Sequence, residues 1–210
     1  MFFLFSLFQI VVESKSNKCS EGALIIPENV TIIEDYEYDG CSEFKGALII
    51  PDSVVKIGYS AFSGCSGFTG TLNIPDSVVT ISGYAFAECY GLNGSLIIGN
   101  SVKTIYQYSF YRCNRFEGTL TIGPNVTIIA NSAFQDFSKL TGPLIIPESV
   151  EYIGSYAFAG CSSFESLTLT DTLTNISSDS FAGCSGFKGT LIIPDTITTI
   201  GYSAFTKCSG

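Results

Sequence analysis

The sequence predicts a β-rich repeat solenoid, a coil of chain stacked on copies of itself, and two observations carry that prediction. The first is a repeat. A short apolar triplet ends at Ile26, Ile50, Ile74, Ile98, Ile122, Ile146, Leu169 and Ile193, so successive copies lie 24 residues apart, with one step of 23. A period of about 20–29 residues marks an architecture in which each repeat buries its apolar side only against its neighbours. The second is the pattern inside each copy. The triplet alternates, as in Leu72-Asn73-Ile74, and is followed by turn residues such as Pro75-Asp76-Ser77. That is a short strand with a turn behind it, and too few residues remain in the period for a full helix.

The elements of one coil follow in order from Phe68 to Gly91. Phe68 precedes a Gly70-Thr71 turn. Leu72 and Ile74 point inward from the strand, and Val78 and Ile81 point inward from a second extended piece. In Tyr84-Ala85-Phe86-Ala87-Glu88-Cys89 the apolar Phe86 and Cys89 are three apart, which predicts a single helical or 3₁₀ turn. Stacked coils then place equivalent triplets side by side at ~4.8 Å in one parallel sheet. The seventh coil, Phe164-Glu165-Ser166-Leu167-Thr168-Leu169, lacks the glycine that precedes the triplet in most others (Gly46, Gly70, Gly94, Gly118, Gly142, Gly189). That glycine is expected to form a bulge.

Composition narrows the function classes. Of 210 residues 46% are hydrophobic and 14% charged, with 21 glycines, enough for a long thin core. The net charge is −9 with no basic cluster, which argues against nucleic acid as a partner. The chain has no histidine, the usual near-neutral acid–base group and metal ligand, which argues against an enzyme.

Residues 1–18 stand apart from the array of eight ~24-residue coils over 19–210. MFFLFSLFQIVVESKSN has an apolar run and a small-x-small site at Ser14-Lys15-Ser16, so it reads as a signal-like segment or as an N-terminal cap on the first coil. It is shorter than the ~20 apolar residues a spanning helix needs, and no transmembrane span is expected elsewhere. At the other end no polar segment follows Cys208-Ser209-Gly210. Leu191, Ile193, Ile197, Ile200 and Phe205 are expected to line an open end, with end-to-end self-association as the consequence.

Several rows repeat along the array. Seven of the eight cysteines (Cys41, Cys65, Cys89, Cys113, Cys161, Cys184, Cys208) hold one coil position, which Phe137 fills in the fifth coil. A position that accepts phenylalanine is a buried apolar one, so a ladder of free core thiols is the leading reading, with disulfides and a metal site as alternatives. Glu28, Asp52, Asp76, Glu148, Asp171 and Asp195 mark an acidic turn row, which reads as a solvated edge ahead of a cation site. Asn29, Ser53, Ser77, Ser101, Asn125, Ser149, Thr172 and Thr196 follow as a turn-capping ladder.

Two outward rows are candidate protein-binding surfaces. The middle triplet position carries Ile25, Ile49, Ile97, Ile145 and Ile192, an exposed apolar stripe or simply good strand formers. Tyr36, Tyr84, Tyr108 and Tyr156 share another position, with Tyr59 and Tyr202 one residue earlier. Tyrosine offers contact area and a hydroxyl at low entropy cost, and plain packing is the other reading. Candidate glycosylation sites are Asn93 and Asn175; the sequons at Asn29 and Asn125 lie in the turn ladder.

The motif LxIPxxVxxIGxxAFxxC, closest in Leu48 to Cys65, Leu144 to Cys161 and Leu191 to Cys208, resembles the BspA-like (treponemal-type) leucine-rich repeat. The resemblance implies a right-handed leucine-rich-repeat superhelix with a parallel sheet on one face and short helical turns. It implies a surface or secreted adhesion protein that binds a protein ligand, such as a host or cell-surface protein, with no catalytic or cofactor residues to carry over. Gly99, Gly123 and Thr170 depart from the motif where proline is usual. An intracellular, cytoplasmic interaction scaffold is the alternative. A carbohydrate-active β-solenoid enzyme ranks lower, because its paired carboxylates would have to converge on one groove and here the acids sit mainly in a turn row.

Overall fold

Each coil has room for two short extended pieces, and the computed structural model, which describes residues 19–209, places thirteen strands among them. They are β1 (Ile32–Ile33), β2 (Lys56–Ile57), β3 (Leu72–Ile74), β4 (Thr80–Ile81), β5 (Leu96–Ile98), β6 (Thr104–Ile105), β7 (Leu120–Thr121), β8 (Ile128–Ile129), β9 (Pro143–Ile145), β10 (Tyr152–Ile153), β11 (Ser166–Thr168), β12 (Asn175–Ile176) and β13 (Thr199–Ile200). All pairings are parallel, between equivalent residues of successive coils, so the fold is a parallel-sheet β-solenoid consistent with a leucine-rich-repeat superhelix. The signal-like segment falls outside the described residues.

The longest sheet is not where the triplets predict it. The six-stranded sheet β1-β2-β4-β6-β8-β10 is built from the second extended piece, and β12-β13 continue that piece as a pair. The triplets form only β3-β5-β7 and β9-β11. A hydroxyl relay supports the first of these: Ser95 N donates to Thr71 Oγ1 (3.3 Å) and Thr119 N to Ser95 Oγ (3.1 Å). Pro143 takes the next place with neither an N–H nor a hydroxyl, and there the triplet sheet divides.

The predicted helical turns are absent; no helix occurs among the described residues. The segment around Phe62 shows why. Ala61 N and Ser63 N donate within the coil to Gly58 O and Ser60 O (3.3 and 3.2 Å). Ser60, Phe62 and Gly64 N–H donate to Gly83, Ala85 and Ala87 O of the next coil (3.0, 2.7 and 2.8 Å). Alternate amides thus turn the chain and stitch the coils, whereas a 3₁₀ or α turn would consume all of them internally. The alternation needs left-handed residues four apart, and positive φ recurs at Tyr36 and Gly40, Ser60 and Gly64, Tyr84 and Glu88, Tyr108 and Arg112, Ser132 and Asp136, and Tyr156 and Gly160. The glycine before the triplet is likewise a left-handed turn residue at 46, 70, 142 and 189 rather than a bulge. The shorter seventh coil keeps register, with Leu167 opposite Leu144.

The inward rows pack as predicted. Phe68, Leu72, Ile74, Val78, Ile81, Phe86 and Cys89 are all buried. A continuous ring stack runs Tyr38-Phe62-Phe86-Phe110-Phe134-Phe158-Phe181-Phe205, with centroids 5.2–5.6 Å apart. In the last coil Leu191, Ile193, Ile197 and Phe205 are only partly covered and Ile200 is exposed, as the outermost face of the described array.

The cysteine ladder holds with one correction. Cys65, Cys89, Cys113, Cys161 and Cys184 are buried free thiols, and Cys208 is partly covered. Each donates its S–H to a carbonyl of the preceding coil, as Cys89 does to Phe62 O (3.1 Å) and Cys161 to Phe134 O (3.2 Å). Cys41, by contrast, is disulfide-bonded to Cys19 (Cα–Cα 5.0 Å). As first member of the ladder it has no preceding coil among the described residues to receive its S–H. In native protein a colourimetric thiol reagent is expected to label Cys208 first, while the five buried thiols react only after denaturant is added. Detection of more than one disulfide would contradict the ladder.

Candidate functional site

The two outward rows lie apart, the isoleucines on the triplet pieces and the tyrosines on the turn that follows the second extended piece. Ile25, Ile49, Ile97, Ile145 and Ile192, at the middle of the triplet pieces, are 37% to 83% exposed, while their Leu and Ile neighbours in the inner coils face the core. Asn73, Thr121 and Thr168 occupy the same position in other coils and are exposed too, so the stripe is apolar at both ends and broken by short polar residues.

The acidic turn row borders that stripe. Asp52, Asp76 and Asn100 line an open depression of about 630 Å³ with Asn73, Ile97 and Thr121. Asp76 is wired to the next coil: its Oδ1 accepts Asn100 N–H (2.8 Å) and its Oδ2 accepts Asn100 Nδ2–H (3.1 Å). The residues after the acids act as the predicted capping ladder, with Ser53, Ser77 and Ser149 Oγ–H donating to Val30, Val54 and Val126 O (2.6, 2.7 and 2.6 Å).

The tyrosine row divides. Tyr36, Tyr59, Tyr84 and Tyr108 form one ladder, with centroids 5.4, 5.5 and 4.7 Å apart, Tyr84 and Tyr108 being stacked. Tyr156 is exposed and stands apart, because Ser132 holds its position in the intervening coil. Tyr36, Tyr84, Tyr108 and Tyr156 all have left-handed backbones (φ 58–59°). A bulky residue there costs on the order of 1–2 kcal/mol. Ring pairs worth about 0.5–1.5 kcal/mol each offset this within the ladder.

Sequence reasoning missed a trough beside that ladder. It is an open depression of about 470 Å³ on the outward side of the six-stranded sheet, between Tyr59 and Tyr106. The readable sign was a break in the repeat: Gly58-Tyr59 in the second coil becomes Ser82-Gly83 in the third and Tyr106-Gln107 in the fourth.

Further along the surface, Arg112 lies 3.7 Å from both Glu88 and Asp136, with its guanidinium 5.0 Å from the Tyr111 ring centre. Lys139 pairs with Glu117 at 2.8 Å, and its hydrogen bond and charge pull the Glu117 carboxyl below its ordinary pKa. Of the two candidate glycosylation asparagines, Asn93 is exposed, with its Oδ1 rather than its Nδ2 committed to Gly70 N–H (2.7 Å). Asn175 is exposed in β12. No cluster of three or more potential metal ligands occurs among the described residues, and they contain no helix long and apolar enough to cross a membrane.

The BspA-type leucine-rich repeat region model matches six copies over residues 13–141 and 127–210. Among solved structures, a leucine-rich cell surface protein of Faecalibacterium prausnitzii superposes with a TM-score of 0.62 at 26% identity. The match covers 84% of this chain and 55% of that one, so this chain spans just over half the length of that relative. The leucine-rich repeat protein of T. pallidum matches in fold, with a TM-score of 0.61 at 24% identity over 89% of this chain and 76% of that one. No curated protein matches the chain. With the repeat model spanning nearly all of its length, and coils that stack in the register described, the chain belongs to the BspA-type leucine-rich repeat family.

Proposed function

We propose that this chain is a surface or secreted adhesion module that binds another protein across the outward face of the triplet strands. The observation that carries the reading is the exposed stripe of Ile25, Ile49, Ile97, Ile145 and Ile192 bordered by the turn carboxylates. An exposed apolar stripe with a polar rim has the anatomy of a protein-contact surface. The acidic border favours a partner that presents Lys or Arg around its apolar contacts. Tyr36, Tyr84, Tyr108 and Tyr156 lie off this face; the first three stack coils, and Tyr36 and Tyr156 are exposed.

The Cys19–Cys41 disulfide supports an oxidising compartment, since such bonds persist outside the cytosol. The cell-surface description of the F. prausnitzii relative points the same way. A reporter fused to residues 1–18 is expected to be exported; retention in the cytosol would favour the intracellular scaffold.

The binding face is tested with the immobilised array and a panel of cell-surface and matrix proteins, wild type against Ile49→Asp/Ile97→Asp/Ile145→Asp. The triple variant is expected to bind at least about tenfold more weakly, since each 1.4 kcal/mol is a factor of ten and three apolar contacts are lost. It should keep its melting temperature within a few degrees, because all three side chains are exposed. Unchanged binding by the folded variant would exclude this face.

A further inference from the structure

The trough between Tyr59 and Tyr106 has a different chemistry from the isoleucine stripe and lies on another sheet. The row after the second extended piece reads Asp35, Tyr59, Gly83, Gln107, Asn131 in the first five coils, and the row before it Glu34, Gly58, Ser82, Tyr106, Ala130. Only in the third coil is the pair as small as Ser82-Gly83 with an aromatic residue in the coil on each side. At Gly58 a side chain would run into the backbone of Asp35, so glycine there serves coil stacking. At Gly83 the neighbours of an added carbon include the Tyr59 ring (3.4 Å to Cε2) and the Gln107 carbonyl oxygen (3.1 Å). This glycine keeps the floor of the trough low under the Tyr59 ring.

The Tyr59 wall is held in place, and Tyr106 opposite it is exposed. Tyr59 N–H donates to Asp35 Oδ1 (2.8 Å), and the Tyr59 ring lies between Tyr36 and Tyr84 at 5.4 and 5.5 Å. Little ordering of the Tyr59 side is left to do when a ligand binds. Around the rings stand Lys56, Thr80, Gln107 and Asp35, which supply both donors and acceptors and carry one positive and one negative charge.

That combination narrows the ligand. A balanced charge gives no purchase on a phosphate or a polyanion. The backbone groups of β2, β4 and β6 are already spent on one another, so an extended peptide cannot add as a strand here. A trough this open does not enclose an apolar anchor in the way hot-spot pockets do. A sugar ring fits all three constraints. Its C–H face lies flat on a phenol ring, its hydroxyls accept from donors and donate to acceptors, and it is neutral. Tyr59 and Tyr106 are two coils apart, ~10 Å at ~4.8 Å per coil, a span that suits a chain of about two pyranose units. We propose that the Tyr59–Tyr106 trough is a carbohydrate-binding site for a short neutral oligosaccharide.

The test uses the 210-residue chain and four probes: cellotetraose, maltotetraose, tetra-N-acetylchitotetraose and a heparin-derived tetrasaccharide. Binding is read by saturation-transfer NMR and calorimetry. At least one neutral probe is expected to bind, with the heparin fragment failing. Tyr106→Ala should weaken that binding by about tenfold or more, the factor that 1.4 kcal/mol of lost contact gives. Tyr106→Phe should keep most of it, and Tyr152→Ala, an exposed tyrosine outside the trough, should leave it unchanged. Gln107→Ala gives a second variant that leaves the ring stack intact. Failure of every neutral probe at millimolar concentration, preference for the heparin fragment, or binding that survives both Tyr106→Ala and Gln107→Ala would overturn the proposal. None of these outcomes touches the isoleucine face, so the two readings are tested separately.

Discussion

Phe158→Ala is expected to lower the unfolding free energy by ~3–5 kcal/mol, the range for deleting a buried aromatic ring. Phe158 is fully buried between Phe134 (5.2 Å) and Phe181 (5.6 Å) in the ring stack. The cost should sit high in that range because the site cannot collapse. The spacing of the coils is set by backbone bonds on either side, Phe134 N to Ala157 O and Phe158 N to Ser180 O, both 2.8 Å. Rings above and below are held at that spacing and cannot close into the void. Phe86→Ala, between Phe62 and Phe110 at 5.2 and 5.3 Å, should behave alike. Against a total of about 5–15 kcal/mol, such a loss leaves a marginal array. Each coil is supported only by its neighbours, so melting should begin at the damaged coil and broaden the urea transition. Asp52→Ala, on the exposed turn row, should cost no more than ~0.5 kcal/mol. Equal midpoints for the Phe158 and Asp52 variants would refute the assignment of inner and outer rows.

The inner rows were legible because burial imposes a strict pattern at each register position. Leu72, Ile74, Val78, Ile81, Phe86 and Cys89 could be read inward from one coil and checked in seven others. The turn was misread because an apolar pair three apart is shared by a helical turn and by a ribbon of successive tight turns. What separates them is the left-handed backbone at Tyr84 and Glu88, which neither side chain advertises. Glycine at 40, 64, 160 and 183, in the position of Glu88, was the available clue. The strand pairing was misjudged because hydrogen bonding, unlike burial, depends on residues such as Pro143 that interrupt a row once. The spacing places Cys41 in the ladder, yet a ladder thiol donates to a preceding coil, and Cys41, the first among the described residues, is bonded to Cys19 instead. The trough escaped notice for the opposite reason. Repeat analysis attends to what recurs, and Ser82-Gly83 matters because it does not.

Raising the pH above about 9 is expected to unfold the array, and the buried thiols set the slope. Burial pushes the Cys65 thiol from 9.0 up to about 12, burial likewise raises Cys89 and Cys161, and the hydrogen bond with Cys208 together with burial raises Cys184. An unfolded thiol gives up its proton near pH 9, while the folded one keeps it to higher pH. Between those values the unfolded chain binds fewer protons, so stability falls as pH rises. The stabilisation is complete below about pH 9 and drains away toward the folded values. Each such thiol contributes a slope of ~1.4 kcal/mol per pH unit, so the four together give on the order of 5–6 kcal/mol per unit. Tyr38, pushed up to about 12 by burial and by the Glu37 charge, adds to the slope only above about pH 10. The interval from pH 9 to 10 therefore isolates the thiols. The Cys184 hydrogen bond lowers the Cys208 thiol to about 7, which adds stability between about pH 7 and 9. Urea midpoints measured at intervals from pH 7 to 10 should therefore not fall before about pH 8.5 and should fall above about 9. Cys161→Ala loses some stability at neutral pH through its smaller side chain, but its decline above pH 9 should be about a quarter shallower than that of the wild type. A wild-type midpoint that does not move between pH 8.5 and 10 would show that the ladder thiols ionise as freely in the folded chain as outside it, and the buried-ladder account of the core would fail.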